Sequence, residues 1–60
     1  MEKELIIKLK VSDKEVINER YIHSVIKTLN ENLFITDCIE YNGKIVFDRK
    51  FGIDKSNLDI

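Results

Sequence analysis

Ten residues constrain this chain more than any others: Cys38-Ile39-Glu40-Tyr41-Asn42-Gly43-Lys44-Ile45-Val46-Phe47. Asn-Gly between two strand-like runs predicts a two-residue type I′ turn, because both central residues need φ > 0. An uninterrupted ladder from that turn sets Tyr41 opposite Lys44, Ile39 opposite Val46 and Cys38 opposite Phe47. Apolar side chains then stand on both faces of the ribbon. One face carries Phe34, Cys38, Ile45, Phe47 and Phe51. The other carries Ile35, Ile39, Tyr41 and Val46.

The rest of the chain has to supply the cover. Residues 4–11 alternate, with Leu5, Ile7, Leu9 and Val11 pointing one way and Glu4, Ile6, Lys8 and Lys10 the other. That period predicts a half-buried strand. Ser12-Asp13-Lys14-Glu15 has the form of a capping box. A helix is expected from about Asp13 to Asn32, with an apolar stripe of Tyr21, Ile22, Val25, Ile26, Leu29 and Leu33. The expected architecture is a single α+β domain spanning residues 1–60, in β-α-β-β order. One long helix covers one face of a three-stranded, mainly antiparallel sheet. Setting the first strand beside the third makes every pair antiparallel, giving the order 2-3-1. Order 1-2-3 with a right-handed crossover is the alternative. Residues 52–60 form a tail without clear period.

One helix covers one face. The phenylalanine face is the more apolar, so it is assigned to the helix. The face of Ile35, Ile39, Tyr41 and Val46, joined by Ile6 from the first strand, is then the expected protein interface. Sixty residues bury little surface, and small folds usually lean on a disulfide, a metal or an oligomer interface. One cysteine excludes an intrachain disulfide, and one histidine without Cys-x-x-Cys argues against structural zinc. Self-association is the staple left, so a homodimer or a complex with another protein is expected.

Other chemistry is weakly written. A net charge of −1, with ten basic and eleven acidic residues interspersed, does not describe a dedicated nucleic-acid binder. Arg20, His23 and Lys27 on the polar helix face, or Lys8, Lys10 and Lys44 on the strands, are the candidate contacts for a dimeric nucleic-acid binder. Asp37 falls opposite Asp48 in the straight register, a like-charge clash that Lys50 and a neighbouring Lys8 or Lys10 would compensate at the surface, with a divalent cation or an acid–base pair as the alternative. Cys38 falls on the expected core face, where a thiol behaves as a small hydrophobe. There is no Gly-rich phosphate loop. No cofactor, metal or catalytic residue is expected, and an enzyme is not. No segment reads as a signal peptide or membrane span, and a lone cysteine fits a reducing cytoplasm. Ile occurs ten times and Ala, Pro, Gln and Trp not at all, as in AT-rich genes of low-GC bacteria, archaea, phages or mobile elements. The leading expectation is a small non-enzymatic regulator or inhibitor that docks a sheet face or edge on a partner protein.

Overall fold

In a computed structural model, which describes residues 3–59, Asn42 and Gly43 adopt φ of 53° and 77° and turn the chain between two antiparallel strands. These are β1 (Cys38–Tyr41) and β2 (Lys44–Asp48), and Tyr41 pairs with Lys44 as the turn requires. The ladder then slips. Glu40 pairs with Ile45, but Ile39 pairs with Phe47 and Cys38 with Asp48. Val46 is therefore one residue too many on β2, a β-bulge. A third strand, β3 (Gly52–Ile53), pairs antiparallel with Phe47 and Asp48, and the sheet order is β1-β2-β3.

The bulge corrects the expected register and moves Phe47 to the other face. One extra residue switches the side-chain alternation beyond it. Phe47 moves onto the side of Ile39 and Tyr41, and Val46 stays there as well. Those four, with Ile53, surround or join a core of Ile17, Ile22 and Val46. The helix thus covers the face expected to be open. Val46 is 0% exposed, and Ile39 and Tyr41 are half-buried. Cys38, expected inside, is exposed.

The helix α1 runs Glu19–Glu31. It begins six residues later than the capping box suggests. Ser12 closes a local turn instead, accepting from Glu15 N–H at 3.0 Å and, through Oγ, from Lys14 N–H at 3.3 Å. Ile17 cannot be helical, because both its backbone groups are bonded to Asp59. Its N–H donates to Asp59 Oδ2 at 2.9 Å and its C=O accepts from Asp59 N–H at 3.0 Å. Asn18 is the cap that works, accepting from Tyr21 N–H at 2.9 Å. Ile22 is buried and Tyr21, Val25, Ile26 and Leu29 are half-buried, as the stripe predicts. Leu33 is not part of it. The helix closes with Phe34 N–H on Leu29 C=O and Leu33 N–H on Asn30 C=O, the paired bonds of a Schellman motif. Leu33 occupies its left-handed position at φ 69° and is 94% exposed.

The expected first strand is not formed. Residues 3–11 have no ladder. The place beside β2 that the order 2-3-1 reserved for them is held by β3 and the residues after it. Asp54 N–H donates to Val46 C=O and Asn57 Nδ2 donates to Ile45 C=O, both at 2.9 Å. A short 3-10 turn, Lys55–Asn57, completes this cover. Among the described residues the fold is α+β, with one α-helix and a three-stranded antiparallel sheet, and β2 is central as expected. Its third strand comes from the tail.

Glycine suits the left-handed position of a Schellman motif because it has no Cβ to clash. Leu33→Gly removes no packed side chain and relieves a conformation that costs about 1–2 kcal/mol, less the extra chain entropy glycine loses. Urea unfolding should show a net gain on the order of 0.5–1 kcal/mol. A loss would mean that Leu33 is not in this conformation in solution.

Candidate protein interface

Three devices fix the surface around the sheet, and each starts from a short polar residue. Asp48 shapes the β2–β3 turn: its Oδ1 accepts from Lys50 N–H at 2.8 Å, and its C=O accepts from Phe51 N–H at 3.1 Å. Gly52 follows at φ 83°, where a side chain would be strained. This turn leaves Phe51 88% exposed. Asp54 shapes the next turn, accepting from the backbone N–H and hydroxyl of Ser56 and from Asn57 Nδ2. Between the two turns lies an open groove of about 760 Å³, lined by Ile45 and Phe51 and edged by Lys44, Asp48, Asp54 and Lys55. Ile45 is 49% exposed there, on the sheet face turned away from the helix.

Asp59 is the third device. Besides holding Ile17, its carboxylate accepts from the Tyr41 hydroxyl, at 2.9 Å to Oδ1 and 3.1 Å to Oδ2. One residue of the tail thereby ties the segment before α1 to the end of β1. The hydrogen bond to Asp59 is the main reason the Tyr41 phenol is raised above its usual value near 10. Slight desolvation and the charge of Asp59 act in the same direction, and a hydrogen bond with Asn42 opposes them.

The residues expected to form the interface are not brought together as one. Val46 is inside, and Ile39 and Tyr41 pack against the core. Ile6 and Ile35 are 77% and 69% exposed, outside the sheet. Ile45 and Phe51, which the straight register hid beneath the helix, are exposed, and so is Phe34 at 40%. Arg20, His23 and Lys27 are all exposed on α1, as expected. Beside them Glu19 lies 3.4 Å from Lys55 Nζ.

The bulge also separates Asp37 from Asp48. Asp37 falls beside Arg49: its C=O accepts from Arg49 N–H at 2.9 Å, and its carboxylate lies 3.4 Å from the guanidinium. The like-charge clash of the straight register was thus the one sequence signal of the slip, since a shift of one residue exchanges Asp48 for Arg49. Among the described residues no three His, Cys, Asp or Glu side chains gather as a metal site. No helix among them is long and apolar enough to cross a membrane.

Fold and surface together define a small α+β domain with an apolar groove beside its sheet. Comparison with known protein families, with curated proteins and with solved structures gives no match.

Tyr41 and Asp59 give a pH-dependent prediction. The folded phenol titrates above its unfolded value, so its contribution is complete below pH of about 10 and is lost as pH rises through the raised value. Alkaline titration followed by tyrosinate absorbance should show a late step that Tyr41→Phe abolishes. Asp59→Ala should bring that step back toward the ordinary value. An unchanged titration in Asp59→Ala would refute the hydrogen bond.

Proposed function

We propose that this chain is a small, non-enzymatic interaction module that regulates or inhibits a partner protein by docking the groove of Ile45 and Phe51 on it. The observation that carries the reading is Phe51, an aromatic side chain 88% exposed at the rim of an apolar groove. Exposed apolar patches rimmed by polar groups are characteristic of contact surfaces, and aromatic anchors seated in a partner's pocket supply much of the binding energy at such surfaces. Lys44, Asp48, Asp54 and Lys55 provide a rim of both signs.

The chemistry of the rim supports binding rather than turnover. The Asp48 and Asp54 carboxylates accept hydrogen bonds within their own turns. The thiol of Cys38 lies outside the groove and is compatible with a reducing cytoplasm. The bias toward Ile and Lys fits a phage or mobile-element inhibitor of a host protein.

Phe51→Glu tests the reading, since it changes an exposed side chain and leaves the core intact. Wild type and variant, immobilised at equal density, are presented with extracts of the source cells. A partner captured by wild type and then purified should bind Phe51→Glu at least about tenfold more weakly, a difference of about 1.4 kcal/mol. Equal affinity for both proteins would contradict the groove as the docking surface.

A further inference from the structure

The chain holds a strand without a sheet and a sheet edge without a strand. Residues 4–11 alternate with the strand period, yet among the described residues no backbone hydrogen bond falls on residues 3–11. Leu5, Ile6, Ile7 and Leu9 are exposed. In its own chain this segment meets the body at the helix, where Leu9 borders a shallow groove with Tyr21, Val25 and Leu29. That is the helical layer and not the sheet edge.

β2 is flanked on both sides, by β1 and by β3 with Asp54 and Asn57, so the edges of the sheet are β1 and the two-residue β3. The outer side of β1 is bare: apart from the ladder to β2, no hydrogen bond among the described residues reaches the backbone of Cys38–Tyr41. Bare edges are templates for another strand.

We propose that the segment Glu4–Val11 adds as an edge strand to β1 of a second copy of this chain, and that two copies exchange these segments reciprocally. Three observations select a second copy as the occupant. Donor and acceptor are on the same chain, so the exchange closes with two-fold symmetry and leaves no unsatisfied end. The chemistry of the two strands matches. With Leu5, Ile7, Leu9 and Val11 continuing the face of Ile39 and Tyr41, Ile6, Lys8 and Lys10 fall on the face of Cys38, Glu40 and Ile45, where Glu40 supplies an opposite charge. Finally, only Ile17, Ile22 and Val46 are buried apolar residues among those described, a small core for which an oligomer interface is the usual supplement. This interface uses β1 and residues 4–11 and leaves the groove of Phe51 open, so it stands or falls apart from the partner reading above.

Cys38 provides the probe, because it is the one cysteine and is exposed on β1. Single variants Ile6→Cys, Ile7→Cys, Lys8→Cys, Leu9→Cys and Lys10→Cys of the full chain are oxidised mildly, and linked peptides are identified by mass spectrometry. Disulfides to Cys38 should form between chains, favouring positions 6, 8 and 10 over 7 and 9. Light scattering over a dilution series should give two chains for wild type. Ile7→Pro, which removes a strand N–H and touches nothing in the core, should raise the dissociation constant at least about tenfold (about 1.4 kcal/mol) while circular dichroism keeps the helix. A monomer at every concentration, disulfides within one chain, or a dimer indifferent to Ile7→Pro would each overturn the proposal.

Discussion

Between the Asn42–Gly43 turn and the far end of the hairpin, β2 has one more residue than β1, and Val46 is that residue. The turn alone would spread the apolar side chains of the hairpin over two faces. The bulge brings Phe47 to join Val46 on the side of Ile39 and Tyr41, where Ile22 of the helix meets them. A chain with one helix then has one apolar face to cover. The same slip sets Asp37 beside Arg49, and with the helix on the side of Val46 and Phe47, Ile45 faces the groove on the opposite side. Core, ion pair and exposed surface therefore share one cause.

The tail completes what the bulge begins. In a sheet this small the strand beside β2 need only be two residues long, provided that the residues after it keep bonding to β2, as Asp54 and Asn57 do. Asp59 then closes the fold by bonding Ile17 through backbone and side chain and Tyr41 through its hydroxyl. These contacts join residues far apart in sequence, and none has a local signature. With β2 satisfied on both sides, residues 3–11 are left with the pattern of a strand and no ladder.

What could be read in advance was local. The Asn-Gly turn, the antiparallel hairpin and the helix with its Ile22 and Ile26 stripe follow from period and turn chemistry, whereas the third strand was expected from residues 4–11 and is supplied by Gly52–Ile53. The bulge left no glycine to mark it, only the awkward meeting of Asp37 with Asp48. The start of the helix depended on a tail residue claiming Ile17, which no window around Ser12 contains. With Phe47 beside Val46, Ile39 and Tyr41, the helix covers that face, so Val46 is buried while Ile45 and Phe51 are exposed. The basic residues Arg20, His23 and Lys27 were placed correctly because a helix surface depends on spacing alone.

Two-dimensional nuclear Overhauser spectroscopy of the labelled protein tests the register directly. The account predicts cross-strand backbone contacts between Ile39 and Phe47 and between Cys38 and Asp48, with side-chain contacts from Val46 to Ile22. Contacts pairing Ile39 with Val46 and Cys38 with Phe47 would contradict it, restoring the straight ladder and, with it, the opposite choice of inner face.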